Sequence, residues 1–135
     1  MPVSAVVCVL VLMAIVIVAI DVCWLILRSK FHNWFFETVQ GSPLTPRLLP
    51  AIGVYLLLPI IIYLTAVSDA KDLYDAARRG AITGFLIYAF YDLTNYATFS
   101  RWTLHMTLTD TLWGTTLCAA GAIVGYYALH FLKIN

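Results

Sequence analysis

The fold is decided by one stretch, Gly80-Ala-Ile-Thr-Gly-Phe-Leu-Ile-Tyr-Ala-Phe-Tyr-Asp-Leu-Thr-Asn95. It is apolar enough to lie in a membrane, yet it carries Asp92 and Asn95, and an ionisable side chain at that depth needs partners. On a helix, Gly84, Tyr88 and Asp92 recur every four residues and so share one side. That side is predicted to face protein and not lipid.

The composition is that of a membrane protein. Of the 135 residues, 62% are hydrophobic and 11% are charged, whereas an ordinary soluble domain has roughly 25% charged residues. Because one span takes about 20 residues, the length suits a single transmembrane domain, residues 1–135, with spans at about 3–27, 48–67, 80–99 and 112–132. We expect an all-α, multi-pass integral membrane four-helix bundle that has the lipid bilayer as its first partner.

Charge and cysteine patterns exclude other classes. The net charge is +1 and the eight basic residues are scattered, so no nucleic-acid surface is expected. The three cysteines lie far apart in apolar segments and match neither a zinc pattern nor a disulfide framework. No metal and no cofactor is expected. Basic residues divide equally between the two sides of a four-span topology, so they indicate neither the orientation nor the membrane.

The connector between the first two spans, residues 28–47, is predicted to hold a short interfacial helix. Its aromatic residues are interleaved with charged and polar ones, and Phe31, Trp34 and Phe35 fall on one helical face. This pattern is typical of a helix whose aromatic rings lie at headgroup level. Two further interfacial aromatic residues are predicted beside the later spans, namely Trp102 and Trp113.

Glycines predict where helices approach closely. Gly121 and Gly125 form a Gly-xxx-Gly pair in the last span, with Gly114 on the same side, and Gly80 and Gly84 form a second pair in the third span. We expect these two helices to pack on each other or on a second copy of the protein. A homo-oligomer through these glycines, or another protein partner, is therefore an expectation.

Four spans would bring acidic residues from different helices to the same half of the membrane. Asp21 lies near the exit of the first span, Asp92 just past the middle of the third, and Asp110 at the entry of the fourth. A buried carboxylate is costly alone, so it is expected to be protonated, hydrogen-bonded or paired with an arginine. The predicted intramembrane polar cluster comprises Asp21, Tyr88, Tyr91, Asp92, Thr94, Asn95, Arg101 and Asp110.

The same residues resemble a known family. Tyr91-Asp-Leu-Thr-Asn95, Ala97-Thr98 and Asp110-x-x-Trp-Gly114 are similar to the predicted membrane proteins catalogued as domain of unknown function 2177, and Asp21-x-x-Trp24 extends the match. The resemblance covers most of the chain and implies a small four-span protein. It implies no reaction, because no activity is established for that family.

Three functions compete. The first is a structural or organisational role, in which the connectors contact a partner protein, for example a protein layer on the internal membrane of a virion. The alternative is a transporter-like or receptor-like bundle in which Asp92 titrates or coordinates a small solute, ion or proton. A membrane enzyme acting on lipid headgroups would need a nucleophile or a set of metal ligands, and the sequence contains no legible set of either kind, so no enzyme is expected.

Overall fold

The structure, a computed structural model, describes the backbone of residues 2–134 and the side chains of residues 2–132. It contains α1 (Val3–Leu27), α2 (Ser29–Gln40), α3 (Leu48–Ile62), α4 (Leu73–Thr98) and α5 (Leu104–Ile134). A π-helical turn, Tyr63–Val67, continues α3. The predicted fold class is confirmed, since four long helices form a bundle and a short helix lies between the first two of them.

Local signals explain where three of the helices begin or end. Gly41 ends α2 in the left-handed conformation, with φ of 75°, which a glycine adopts without steric cost. Asp72 precedes α4, and its carboxylate accepts the N–H of Asp75 at 2.8 Å. Thr103 precedes α5, and its hydroxyl accepts the N–H of Met106 at 3.2 Å. Such side-chain caps satisfy amide groups that a helix start leaves unpaired.

The first turns of α4 are held by Asp75. Its carboxylate accepts the backbone N–H of Lys71 at 3.2 Å and pairs with Arg79 at 3.0 Å and Arg78 at 3.2 Å. The hydrogen bond from Lys71, followed by the two arginines, holds the pKa of Asp75 below its ordinary value against the opposing effect of burial. This network fixes the start of α4 at the end of the bundle opposite α2.

Within the described residues, three helices are long and apolar enough to cross a membrane, namely α1, α3 with its π-helical turn, and α5 as far as Leu132. The predicted crossing at residues 80–99 lies in α4, which is not among them, so that crossing is not confirmed. Asp92, Asn95 and the tyrosines around them reduce the apolar character of α4.

The main core lies where α1, α3 and α5 meet. Val9, Met13 and Ile17 are spaced by four residues and form the buried stripe of α1. They pack in one cluster with residues of α3 and α5 such as Ile62 and Leu117. Close packing of these side chains joins the three helices, since apolar surface gains little by leaving lipid.

Helix α4 packs along α5 through small residues. A Cβ atom on Gly80 would lie 2.6 Å from that of Ala122, and one on Gly84 would overlap the carbonyl of Gly114. The ring of Tyr88 covers Gly114. The backbones therefore approach as closely as they do because these positions lack side chains.

The other two predicted packing glycines face α1 and α3. Gly121 lies against Ile17 and Ile62, and Gly125 lies against Met13 and Val67. The four glycines of the two predicted pairs, and Gly114 as a fifth, are thus covered within one chain.

The helix register places the acidic residues at one end of the bundle. Gly125 meets Met13 and Gly121 meets Ile17, so α1 and α5 run antiparallel. Asp110 lies eleven residues before Gly121, about 17 Å along the axis at about 1.5 Å per residue. This distance brings Asp110 level with Arg28, at the junction of α1 and α2.

Candidate functional site

Asp21 joins three helices. Its carboxylate accepts a hydrogen bond from the hydroxyl of Tyr55 on α3 at 2.5 Å and another from the indole N–H of Trp113 on α5 at 2.8 Å. Hydrogen bonds to an ionised acceptor are stronger than those between neutral groups. We call Asp21, Tyr55 and Trp113 the Asp21 clasp.

An aromatic stack covers the Asp21 clasp. The rings of Trp24 and Trp113 are parallel to within 7°, with centroids 4.5 Å apart. The guanidinium of Arg28 lies 5.1 Å from the centre of the Trp24 ring and 4.5 Å from that of Phe31, at a distance where a cation is attracted to the ring face. Asp21 and Trp24 hold the ring of Trp113 against α1, and its place at headgroup level stays a prediction.

Asp92 lies in a different environment. Its side chain is 0% exposed, and neither carboxylate oxygen has a hydrogen-bond partner in the part of the chain that the structure describes. The carboxyl of Asp110 and the indole of Trp102 lie close enough to Asp92 to interact with its carboxyl. We call Asp92 and Asp110 the acid pair.

Unpaired donors surround the acid pair. The indole nitrogen of Trp102 and the amide nitrogen of Asn95 are both buried and lack partners within residues 2–132. Asn95 follows Asp92 by three residues and so lies on the same side of α4. Buried polar groups are nearly always paired in folded proteins, so unpaired ones mark a place with a special role.

Helix α2 folds back over this end of the bundle. Phe35 is 1% exposed and packs edge-on against Trp102, with ring centroids 5.1 Å apart. Together with Met106 they form a second core. Phe35 and Trp102, which were predicted as interfacial aromatic residues, are buried because the inner face of α2 packs on the α4–α5 connection. Phe31 is half-buried against α5, with its ring 5.5 Å from His105.

His32 occupies the same inner face of α2. It is buried, and its Nδ1 atom has no partner among the described side chains and backbone. Burial lowers the pKa of His32 below its ordinary value of 6.5, the positive charge of Arg28 lowers it further, and Asp21 opposes the shift. Docking of α2 therefore favours the neutral imidazole.

Three predicted members of the polar cluster lie outside it. The hydroxyl of Thr94 donates to the carbonyl of Phe90 at 2.7 Å, and Arg101 donates to the carbonyl of Thr38 on α2 at 3.1 Å. Tyr91 is exposed and touches the site only through its ring edge at Trp102. On a helix, positions one or two residues from Asp92 point away from its side. Tyr88, the remaining member, lies between α4 and α5 beside Gly114.

Two residues of the site were missed. Tyr55 is the only hydroxyl-bearing residue between Leu48 and Ile62, so a lone polar group in an apolar span was the available signal. His32 was hidden among the polar residues of the connector, where the sequence does not show which face of α2 turns inward.

Apolar grooves border the site, one of them of about 380 Å³ beside Trp24 and Trp113. The groove of about 390 Å³ between α4 and α5 is lined by apolar residues and threonines, and Asp92 does not line it. In the described part of the chain, no three His, Cys, Asp or Glu side chains are grouped so as to hold a metal ion.

Comparison with known proteins gives a family. The family model described as a predicted membrane protein (DUF2177) matches residues 6–127, a range that includes the Asp21 clasp and the acid pair. No curated protein and no solved structure matches the chain.

Proposed function

Because the chain belongs to the DUF2177 family of predicted membrane proteins, we propose that it is a four-span membrane protein with a structural or organisational role. In this proposal it holds a partner protein at one membrane surface. The internal membrane of a virion is one setting for such a role.

The packing of α4 supports a fourth span. It runs antiparallel to α5 from the contact of Gly80 with Ala122 to the acid pair. Its outer face carries exposed Phe85, Leu86 and Phe90, as a lipid-facing surface would. With α4 counted as a span, all four long helices cross the membrane and both ends of the bundle lie at its surfaces.

The outer face of α2 is the observation that carries the organisational role. Phe35 and His32 fix the inner face, whereas Trp34 is 59% exposed and Lys30 and Glu37 beside it are also exposed. Tryptophan is enriched in protein contacts and among the few residues that carry most of their binding energy, and the polar rim of such a contact accommodates charges. We name Lys30, Trp34 and Glu37 the α2 outer face.

A homo-oligomer is still proposed, but through a different surface from the one that the glycines suggested. The glycines that suggested it are covered within one chain. A second copy would therefore meet the α2 outer face or the outer side of α4.

A photocrosslinking amino acid in place of Trp34 tests the proposal in native membranes. We expect one protein adduct of defined mass that disappears when the charges are exchanged by Lys30→Glu with Glu37→Lys. The matched control carries the same crosslinker at Leu86, which we expect to yield lipid adducts. An adduct of twice the mass of the chain would identify a second copy as the partner, and lipid adducts alone at position 34 would refute the role.

A second candidate function is a pathway for a small solute, ion or proton. The buried and unpartnered carboxyl of Asp92 favours it. In reconstituted vesicles, flux that is abolished by Asp92→Asn would establish this function. Absence of flux with the wild-type protein would exclude it.

A further inference from the structure

The acid pair contains two carboxyls that repel each other when both are ionised, whereas the Asp21 clasp contains one carboxylate with two hydrogen-bond donors. Two carboxyls lie close together, and one of them is fully buried. Neither takes part in an ion pair within residues 2–132, where the two ion pairs involve Asp75. Two negative charges at short distance in a medium of low dielectric constant repel strongly, so such pairs do not ionise together.

Charged and titratable neighbours do not remove this repulsion. Arg28 is the nearest cation to Asp110, but its guanidinium is directed over two aromatic rings. The groups that act on the acid pair are Trp102 in the α4–α5 connection and Arg28 and Asp21 on α1. Tyr88 on α4 interacts with Asp110, and Asn95 lies on the same side of α4 as Asp92. Asp21 adds negative charge that acts on Asp110, and Tyr55 donates its hydrogen bond to Asp21.

The geometry also limits what could bind there. A calcium ion takes six or more oxygen ligands and a structural zinc ion takes four ligands, whereas the acid pair supplies two side chains. The groove between α4 and α5 does not open onto Asp92. The smallest cation, a hydrogen ion, requires neither a cavity nor a third ligand.

We infer that Asp92 and Asp110 form a proton-binding site beneath α2, in which one hydrogen ion is held between the two carboxyls. Hydronium transfers its proton to a carboxylate oxygen, so that one O–H bond breaks, another forms and a water molecule is released. The resulting acid donates to the other carboxylate. The N–H groups of Trp102 and Asn95 stabilise the single remaining negative charge.

This site goes beyond the organisational role and does not depend on it. A proton held permanently would neutralise the α4–α5 contact without any transport. Its location level with Arg28, at the α2 end of the bundle, places it near the membrane surface from which a hydrogen ion would come.

Infrared difference spectroscopy on the full chain in lipid nanodiscs tests the inference. The chain has seven side-chain carboxyls, and the exposed ones are ionised at neutral pH and give no band of a protonated acid. With ¹³C-labelled aspartate, we therefore expect the C=O band of one protonated aspartic acid at neutral pH. Asp92→Asn is expected to remove that band completely, because the lone carboxyl of Asp110 no longer shares a proton. Asp69→Asn, in an exposed connector, is expected to leave it unchanged.

Two results would overturn the proton site. One is a wild-type spectrum without a protonated aspartate band at neutral pH, a measurement that needs no variant to fold. The other is a band that persists unchanged in Asp92→Asn. Neither result bears on crosslinking at position 34, so failure of the proton site and failure of the organisational role are distinguishable.

Discussion

The Asp21 clasp and the acid pair show two ways in which one bundle accommodates intramembrane acids. Asp21 accepts hydrogen bonds from two different helices, whereas Asp92 is more deeply buried and accepts none from the described residues. A buried group that is satisfied stabilises the helices that it joins, and one that is not satisfied costs free energy. The comparison implies that Asp21 stabilises the bundle and that the unpartnered carboxyl of Asp92 does not.

The largest expected effect comes from separating α4 from α5, which breaks the acid pair and spares the Asp21 clasp. In Gly84→Leu the new side chain would occupy the position of the Gly114 backbone, and a backbone cannot move aside as a flexible side chain can. We expect a loss of about 3 kcal/mol or more in the free energy of unfolding. Denaturation followed by tryptophan fluorescence would measure it.

Gly53→Leu is the matched control for this prediction. A Cβ on Gly53 meets nothing within 4 Å, so the same substitution in α3 is expected to be neutral or slightly stabilising. Equal losses for the two variants would show that the glycines of α4 are not needed for close approach.

The next prediction applies one substitution to the satisfied acid. In Asp21→Asn the charge is lost, and one oxygen is replaced by an NH₂ group that faces the donor of Tyr55 or Trp113. We expect the free energy of unfolding to fall by about 3 kcal/mol, because one hydrogen bond to a charged group is lost, at about 1.5 kcal/mol, and a buried donor is left facing the NH₂ group without an acceptor, at about 1–3 kcal/mol. Trp113→Phe keeps the ring against Trp24 but removes one donor, so about half of that loss is expected. A loss below the measurement error in Asp21→Asn would mean that the clasp contributes no stability.

The same substitution at Asp92, whose carboxyl has no hydrogen-bond partner among the described residues, is expected to raise the free energy of unfolding. Asp92→Asn removes a buried charge or shared proton and supplies an NH₂ group that can donate to Asp110. We expect a gain of about 1 kcal/mol, since replacing a poorly paired buried acid by a neutral group is often stabilising. The identical denaturation assay makes the two aspartates directly comparable. A loss as large as that of Asp21→Asn would make Asp92 a structural residue as well.

Much of this comparison was predictable from the sequence. Helical periodicity placed Gly84, Tyr88 and Asp92 on one side of a helix, and span counting placed Asp21, Asp92 and Asp110 at one end of the bundle. Which acid finds partners was not predictable. The donors of Asp21 come from positions 34 and 92 residues away, and only the relative register of three helices brings them together.

The contacts that α2 makes with the bundle also could not be predicted from the sequence. An aromatic and charged segment is typical of a helix lying at headgroup level, and the same composition serves a helix that folds back on its own bundle. Phe35 and Trp102 are buried because the α4–α5 connection happens to lie beneath α2. Asp92 and Asn95 lower the hydropathy of α4, and Asp92 lies in the last two turns of this helix.

The smallest expected effect concerns the pH dependence of α2, which covers both acidic sites. His32 has a lowered pKa when α2 is docked, and it regains its ordinary value of 6.5 when α2 is released. The released state therefore binds more protons, and docking weakens as the pH falls below 6.5 and is unaffected above it. Hydrogen exchange of the α2 amides is therefore expected to rise modestly as the pH falls below 6.5. His32→Gln should abolish this rise. The start of α4 serves as an internal control, because the pKa of Asp75 is lowered below that of an ordinary carboxyl. Its amides should therefore lose protection only at more acidic pH. If α2 exchange rises equally in His32→Gln, protonation of a group other than His32 controls the docking of α2.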